Sequence, residues 1–248
     1  MSRAILITGA SSGIGEALAR EFARRGYRLA LLARRVTALQ ELEIALRAAG
    51  SPQVVVHALD LRDAGEIDPA LSACAEMLGG LDIVVANAGV AHRAPVGRGT
   101  LAELQETIAV DLTGACATVD AAVRHFRARG SGQVVAITSV ARHRGLPNFG
   151  AYSAAKEGLH RYLQALRAES WHEHITVTEI APGYIDTPLN RGGGSRPFVI
   201  GAEKGARLMA DLIERGVGYA TVPALPWRVV GPLLKLVPPR LLARRRHR

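Results

Sequence analysis

Apolar runs and amphipathic stretches alternate along most of the chain. Residues 5–7 (Ile-Leu-Ile) end at Thr8 and predict a buried parallel strand. The apolar positions that follow recur at helical spacing up to Gly26, which predicts a helix capped by that glycine. The same rhythm predicts strands at 29–33, 54–58, 83–85, 134–137, 175–180 and 219–222. It predicts helices over 36–49, up to Leu78, on either side of Gly114, around Tyr152 and Lys156, and over 203–214.

This alternation predicts one α/β domain, a doubly wound parallel sheet of about seven strands with helices on both faces. A chain of 248 residues is long enough for two domains, but no repeat, low-complexity segment or linker interrupts the pattern. We therefore expect a single domain over residues 1–222, followed by a C-terminal extension over residues 223–248.

A glycine-rich turn joins the first predicted strand to the first helix. Its spacing is G-x-x-x-G-x-G, in the strand–turn–helix context of a dinucleotide site. Gly9 would allow a tight turn, Gly13 a close approach of phosphates, and Gly15 close packing of the helix on the strand. The helix N-terminus would favour a pyrophosphate. The alternative is an ordinary glycine turn; the candidate cofactor-binding residues are Gly9, Ser11, Ser12, Gly13, Ile14 and Gly15.

A second chemical signal lies far downstream. Tyr152 and Lys156 are four residues apart, so they share one helix face, and Ser139 precedes them at the end of a strand. A tyrosine pKa is about 10, and we expect the ammonium to lower it towards the range useful for acid–base chemistry. Ser139 would hydrogen-bond a substrate oxygen. Alone, the pair would also fit an exposed helix face; with the glycine turn it favours a nicotinamide-dependent oxidoreductase.

These motifs resemble those of the short-chain dehydrogenase/reductase family, in its compact single-domain branch, over roughly residues 3–222. The resemblance implies a Rossmann-like fold, a catalytic set of Ser139, Tyr152 and Lys156, and a homodimer or homotetramer. It implies a small-molecule substrate whose carbonyl is reduced, or whose alcohol is oxidised. Further residues that it places at the cofactor are Asp60 and Leu61 beside the adenine, Asn87, Ala88 and Gly89 near the ribose, Pro182, Gly183, Ile185 and Thr187 near the nicotinamide carboxamide, and Tyr152 and Lys156 themselves.

One position departs from the family pattern. Asp111 stands where the family usually has an asparagine, whose backbone carbonyl is thought to hold a water that relays protons to the lysine. We include Asp111 among the catalytic residues. Two readings stay open: a harmless substitution, or a carboxylate that stabilises the Lys156 ammonium and changes the pH optimum.

The end of the second predicted strand indicates the choice of cofactor. An NAD site usually has an acidic residue there, which accepts a hydrogen bond from the ribose 2′-hydroxyl. This chain has Arg34 and Arg35 instead, and arginine suits bidentate phosphate binding. We therefore expect NADP(H), with Arg34 as the stronger candidate and Arg35 as the second.

The substrate pocket is less well defined by the sequence. The expected lining residues are Val90, Ala141, Leu146, Phe149, Tyr184 and Leu189, which suggest a largely apolar pocket for a carbonyl substrate with apolar bulk. The basic residues Arg142, His143 and Arg144 would meet either an acidic head group or water. The glycine-rich stretch 191–196 is expected to be mobile and to order on binding. The alternative function is a non-catalytic NADP(H)-binding sensor, which would typically lack Tyr152 or Lys156.

The charge of the chain is concentrated at its C-terminal end. The formal net charge is +9, yet no acidic residue follows Glu214, whereas Arg215, Arg228, Lys235, Arg240, Arg244, Arg245, Arg246 and Arg248 do. Apolar residues and Trp227 share this extension, and its prolines prevent one continuous or spanning helix. The extension therefore either packs on the protein or a partner subunit, or makes peripheral contact with an anionic membrane.

Other composition features restrict the remaining classes of function. The basic run has no interleaved aromatic residues or recognisable module, so we expect no nucleic-acid partner. Two cysteines are too few for a disulfide framework, and they favour a cytoplasmic protein. Because His172 and His174 are two apart on a predicted helix, they diverge, and we expect no metal site.

Overall fold

The computed structural model describes residues 2–191 and 196–243. Within them, seven strands form one parallel sheet in the order β3-β2-β1-β4-β5-β6-β9, and two short strands, β7 and β8, pair separately. The strands are β1 (Ala4–Thr8), β2 (Arg28–Ala33), β3 (Val54–Ala58), β4 (Ile83–Ala86), β5 (Gly132–Ile137), β6 (Ile175–Pro182), β7 (Ile185–Asp186), β8 (Ile200–Gly201) and β9 (Tyr219–Val222).

Helices connect the strands and cover both faces of the sheet. They are α1 (Gly13–Arg24), α2 (Val36–Ala48), α3 (Ile67–Leu78), α4 (Leu101–Ile108), α5 (Ala115–Arg129), α6 (Gly150–Glu169), α7 (Ala202–Glu214), α8 (Ala224–Leu233) and α9 (Pro239–Leu242). Short 3₁₀ turns lie at Ala64–Glu66, Val140–His143, Pro188–Asn190 and Leu234–Leu236. No helix in the described ranges is long and apolar enough to cross a membrane.

The two faces of the sheet bury separate hydrophobic cores because side chains alternate along each strand. Leu6 and Val84 face one core, whereas their neighbours Ile7 and Val85 face the other. The first core includes residues of α3, α5 and α6, namely Leu71, Phe126 and Leu159. The second includes residues of α1, α2 and α7, namely Phe22, Leu42 and Met209. Strands buried on both faces explain why the sequence shows continuous apolar runs.

The observed fold confirms the predicted single α/β domain with a seven-stranded parallel sheet. The predicted helical stretches on either side of Gly114 are α4 and α5, and a π-helical turn, Ala109–Gly114, joins them without a break. A Cβ at Gly114 would lie 2.6 Å from the Leu61 carbonyl oxygen, so this turn packs against the loop after β3.

The C-terminal extension, called the tail below (residues 223–248), is described as far as Ala243. Its prolines break it into α8, a 3₁₀ turn and α9, which confirms that it forms no single continuous helix. Trp227 and Gly231 of α8 are buried against the rest of the molecule. The described part of the tail therefore packs on its own subunit, whereas residues 244–248, with four of the predicted basic residues, lie outside the described ranges.

Candidate functional site

A cavity of about 630 Å³ opens at the carboxyl ends of the strands. Strand order reverses between β1 and β4, the usual position of a ligand site in an open α/β sheet. The glycine-turn half of the cavity is lined by Gly9, Ser11, Ser12, Gly13, Ile14, Arg34, Arg35, Asp60, Leu61, Asn87, Ala88 and Gly89. The tail half is lined by Leu146, Phe149, Tyr184, Leu189, Phe198, Trp227, Val230 and Leu234. Ser139, Tyr152 and Lys156 also line the cavity.

The glycine turn packs too tightly for side chains. Gly9 has a φ of +66°, and a Cβ there would lie 2.6 Å from Ala88 Cα. A Cβ at Gly15 would lie 2.4 Å from the Gly9 carbonyl oxygen. Ser12 precedes α1 without capping it through its side chain, so the first N–H groups of the helix stay available to an anion.

Hydrogen bonds hold the ends of β1 and β4 together beside this turn. The Asn87 side-chain amide donates to the Thr8 carbonyl at 2.9 Å. The backbone N–H groups of Asn87 and Ala88 both donate to the Thr8 hydroxyl, at 3.1 and 3.2 Å. The side chains of Thr8 and Asn87 therefore fix the floor of the glycine-turn half.

The two arginines after β2 reach the cavity from one side. Arg35 donates to the Ser11 hydroxyl and carbonyl, both at 3.1 Å, so it lies across the glycine turn. Arg34 forms an ion pair with Glu106 of α4 at 3.2 Å and stays half exposed. Glu106 also pairs with His92 at 2.8 Å. Within the glycine-turn half, Arg34 and Arg35 thus bring two guanidinium groups to the end of β2.

The loop after β3 contributes Asp60 and Leu61. Asp60 binds the Arg62 side chain at 2.5 Å, and the hydrogen bond from Arg62 holds the pKa of the Asp60 carboxyl below its ordinary value. Leu61 is buried and packs against the π-helical turn. An apolar side chain and a carboxylate paired with Arg62 therefore lie side by side at this wall.

Ser139 lies close to Tyr152 and Lys156, although they belong to different elements of the fold. Ser139 follows β5, and its hydroxyl accepts the Ala141 N–H at 3.1 Å. Tyr152 and Lys156 lie on α6, and the Lys156 ammonium is 5.6 Å from the centre of the Tyr152 ring. The ammonium also donates to the Ile137 carbonyl at 3.3 Å. A phenol, a hydroxyl and an ammonium thus line the same part of the cavity wall.

The acidity of Tyr152 differs from the sequence expectation. Burial raises its pKa above the ordinary value and outweighs the Lys156 ammonium and the Ser139 hydrogen bond, which favour the phenolate. The Asp111 carboxylate raises the pKa further. The expected net lowering of the Tyr152 pKa is therefore wrong, because the effect of burial outweighs that of the neighbouring ammonium.

Asp111 lies directly behind Lys156, in the π-helical turn between α4 and α5. Its carboxylate is 3.5 Å from the Lys156 ammonium and accepts the Val90 N–H at 2.7 Å. Burial raises the pKa of Asp111, although Lys156 and the Val90 N–H partly offset the effect. Burial would lower the pKa of Lys156, but Asp111 and Tyr152 raise it overall. The side chain at this position therefore forms a buried ion pair with the lysine.

Aromatic side chains dominate the tail half. The Trp227 ring packs edge-on against Tyr184 and Phe198, with centroids 5.8 and 6.0 Å apart. A Cβ at Gly183 would lie 2.0 Å from Trp227 Nε1, so this glycine lets α8 approach the loop after β6. Phe149 packs on Tyr152, with centroids 6.4 Å apart. An apolar wall therefore stands next to the phenol.

Arg142 and His143 face neither a head-group site nor water, contrary to both sequence alternatives, whereas Arg144 is half-buried. Arg142 is buried and pairs with Glu179 at 3.3 Å and Glu157 at 3.5 Å. His143 is buried beside Gly231 of α8, and burial lowers its pKa to about 4. Buried acidic partners on β6 and α6 attract Arg142 inward, which residue type and sequence position did not reveal.

The structure brings most of the predicted site residues to the cavity, including Val90, Ala141, Pro182, Gly183 and Thr187. Three do not line it: Gly15 lies behind the turn, Asp111 behind Lys156, and the Ile185 side chain is buried in the core against α7. Sequence reasoning missed Trp227, Val230 and Leu234, although their apolar spacing of three and four residues fits one helix face. The predicted mobile stretch falls largely on residues 192–195, outside the described ranges.

Comparisons with known proteins agree with this geometry. A family model for short chain dehydrogenase matches residues 3–196. An uncharacterized oxidoreductase of Mycobacterium tuberculosis is 37% identical, over 97% of this chain and 96% of its own. A cis-4-hydroxycyclohexanecarboxylate dehydrogenase of Sinomonas cyclohexanicum is 36% identical, over 77% of this chain and 76% of its own. The alcohol dehydrogenase of the archaeon Thermococcus sibiricus, complexed with 5-hydroxy-NADP, has a TM-score of 0.81 and 28% identity, covering 89% of this chain and 96% of that chain.

Proposed function

This chain belongs to the short-chain dehydrogenase/reductase family, and on that premise we propose that it is an NADP(H)-dependent enzyme that interconverts a carbonyl and an alcohol. The observation that carries the proposal is the grouping of Ser139, Tyr152 and the buried Lys156 in the wall of a cavity with a polar and an apolar half. A cofactor-sensing protein without activity needs neither the tyrosine nor the lysine. Both are present, so the enzyme is the favoured function.

The residues of the glycine-turn half fit a dinucleotide. The uncapped N-terminus of α1 suits the pyrophosphate, Leu61 offers an apolar contact to the adenine, and Asn87 and Gly89 lie where the ribose would bind. Pro182, Gly183 and Thr187 line the far side, where the nicotinamide carboxamide would be held, and Ile185 has only its backbone available for this. A bound nicotinamide supplies or accepts the hydride.

Arg34 and Arg35 support the choice of NADP(H) over NAD(H). No carboxylate follows β2 to accept a hydrogen bond from a ribose 2′-hydroxyl, whereas two guanidinium groups are within the cavity lining. The Thermococcus sibiricus relative was solved with a derivative of NADP, which is in line with this choice.

The protein's own groups would handle the proton. In reduction, the Tyr152 phenol would donate its proton to the substrate oxygen, and its raised pKa keeps that proton in place near neutral pH. Lys156 would stabilise the phenolate that remains, and Asp111 would hold the ammonium in position. The Ser139 hydroxyl would donate to the same substrate oxygen as negative charge develops.

The tail half indicates a substrate with apolar bulk. Its walls are aromatic and aliphatic side chains, and the two basic residues that follow Ala141 point away from it. The Sinomonas cyclohexanicum relative acts, by its name, on a hydroxycyclohexanecarboxylate, in which the hydroxyl is on a hydrocarbon ring. We therefore favour ketones and secondary alcohols with ring or chain hydrocarbon next to the reacting carbon.

A fluorescence titration with NADPH and NADH, followed by a panel of apolar ketones, tests this function. We expect tighter binding of NADPH and its oxidation on at least one ketone. Binding of NADPH without turnover on any substrate of a wide panel would favour the sensor. Binding of neither nucleotide would overturn the proposal.

The predicted homodimer or homotetramer and the predicted cytoplasmic location stay predictions.

A further inference from the structure

The tail segment Ala224–Leu236 presents a different surface on each side. Its inner face consists of Trp227, Val230, Gly231 and Leu234, a spacing of three and four residues that gives one helix face. Trp227, Val230 and Leu234 line the cavity, and Gly231 packs on His143. This face is occupied by contacts within the subunit.

The outer face of the same segment is apolar and exposed. Val229, Leu233 and Leu236 are 54%, 52% and 77% exposed and also follow a helical spacing. Leu225 before them and Leu241 after them are exposed as well. We call Leu225, Val229, Leu233, Leu236 and Leu241 the outer tail surface. Val229, Leu233 and Leu236 share one side of the segment, and large exposed apolar side chains grouped in this way mark an interaction surface.

The charge around the outer tail surface has one sign. Arg228 and Lys235 are seven residues apart and lie on the helix face between the inner and outer surfaces. Arg240 follows, and the sequence continues with Arg244, Arg245, Arg246 and Arg248. From Arg215 onward the chain has no acidic residue, so every formally charged side chain of the tail itself is a cation.

This charge favours a lipid surface over a second copy of the chain. In a twofold dimer the outer tail surface would face itself, which would bring the cations of two tails together, and the tail has no carboxylate of its own to offset them. A bilayer that contains anionic lipids accepts both the apolar side chains and the cations. No described helix spans a membrane, so such contact would be peripheral.

We propose that the outer tail surface docks the enzyme on an anionic lipid bilayer, and that the enzyme takes its apolar substrate from that bilayer. Phe198 and Leu189, both exposed, line the tail half of the cavity, and Phe198 packs on Trp227. The mouth of the cavity is thus bordered by the same segment that would touch lipid. The docking part stands independently, whereas the substrate part rests on the proposed function.

Sedimentation of the full-length protein with vesicles tests docking without any need for catalysis. We expect it to sediment with vesicles of phosphatidylcholine and phosphatidylserine, weakly with phosphatidylcholine alone, and progressively less as salt rises. The variant Val229→Ser/Leu233→Ser/Leu236→Ser should lose at least about tenfold in partitioning. Ile44→Ser/Met77→Ser/Leu101→Ser, which changes three exposed apolar residues elsewhere, should lose none.

Charge variants give a second comparison. Arg228→Gln/Lys235→Gln should weaken binding to the anionic vesicles by about tenfold or more. Lys204→Gln/Arg207→Gln removes one lysine and one arginine from the exposed side of α7 and should have little effect. Equal losses in the two pairs would show a general charge effect and overturn the proposal.

Two further outcomes would overturn docking: no sedimentation with anionic vesicles, or a dimer that becomes a monomer in the Val229/Leu233/Leu236 variant by light scattering. The second would show that another copy covers the outer tail surface.

Turnover of a water-soluble ketone separates this proposal from the proposed function. The same variant should keep that turnover, since none of its three residues lines the cavity, and lose turnover only of a ketone dissolved in vesicles.

Discussion

The two halves of the cavity are built from the chain in different ways. The glycine-turn half comes from short segments that directly follow β1, β2, β3 and β4, and hydrogen bonds such as Asn87 to Thr8 tie those strand ends together. The tail half comes from longer stretches of chain after β5, β6 and β9, near residues 146–149, 184–190, 197–198 and 227–234. Its contacts are mainly between side chains, for example Trp227 with Tyr184 and Phe198.

The family model covers the two halves of the cavity to different extents. The family model covers residues 3–196, which include every lining residue of the glycine-turn half. Phe198, Trp227, Val230 and Leu234 lie beyond it. Substitutions in the tail half should therefore change which substrate reacts, whereas those in the other half should change which cofactor binds. Four substitutions test that division.

The largest effect is expected from Tyr152→Phe, at the junction of the two halves. Loss of the phenol proton should reduce kcat by about 10²- to 10⁴-fold. NADPH affinity should change little, because the ring and its packing on Phe149 remain. Steady-state rates and a fluorescence titration on the same preparation measure both. Tyr162→Phe, on an exposed part of α6, is the matched control; full activity of Tyr152→Phe would contradict the assignment.

Arg34→Ala should change only the affinity for the cofactor. Removing a charged donor to the 2′-phosphate is expected to weaken NADPH binding by about tenfold or more and to leave NADH binding unchanged. Arg62→Ala removes a nearby exposed arginine that binds Asp60 and does not line the cavity. If the ratio of the two dissociation constants stayed constant in Arg34→Ala, phosphate recognition would lie elsewhere.

Trp227→Leu should change only the preference for the substrate. A smaller side chain enlarges the tail half, so the preference measured by kcat/KM should shift towards bulkier ketones by about tenfold. The dissociation constant of NADPH should stay unchanged. Trp171→Leu replaces the other tryptophan, which is exposed, and should alter neither quantity. A Trp227 variant that loses NADPH affinity and keeps its substrate preference would break the division between the halves.

The smallest effect is expected from Asp111→Asn. The asparagine keeps an acceptor for the Val90 N–H but removes a negative charge that raises the pKa of Tyr152. Alcohol oxidation needs the phenolate, so its rate rises as pH increases through that pKa. The rising limb should therefore move towards lower pH, by about one pH unit or less. Rates of NADP⁺ reduction across the pH range measure it, and superimposable profiles would favour a harmless substitution.

The sequence predicted the glycine-turn half well because strand ends and glycine spacing are local properties. Ser139, Tyr152 and Lys156 were also found, since the last two share a helix face and the first follows a strand. The ion pair of Arg34 with Glu106 joins residues far apart in sequence, and no local pattern indicates it. The pKa of Tyr152 is raised because the side chain is partly enclosed by packing, and the local sequence does not specify that packing.

The position of the tail is a third property that the sequence did not predict, after the Arg34–Glu106 ion pair and the raised pKa of Tyr152. Its apolar and basic residues were recognised, but not that one helical face lines the cavity. The close approach of Gly183 to Trp227 requires β6 and α8 to be in place, and the spacing in the tail alone does not specify that contact. The composition therefore identified the tail as unusual but did not predict where it lies in the fold.

The wall that Trp227, Val230 and Leu234 contribute has a consequence for biosynthesis. On the ribosome, the residues of the glycine turn and the catalytic helix emerge well before the tail does. A nascent or prematurely terminated chain ending near Val222 would thus contain every residue of the glycine-turn half and lack one wall of the other. The segments that would hold a nucleotide are therefore complete in the growing chain before the wall that would border the substrate.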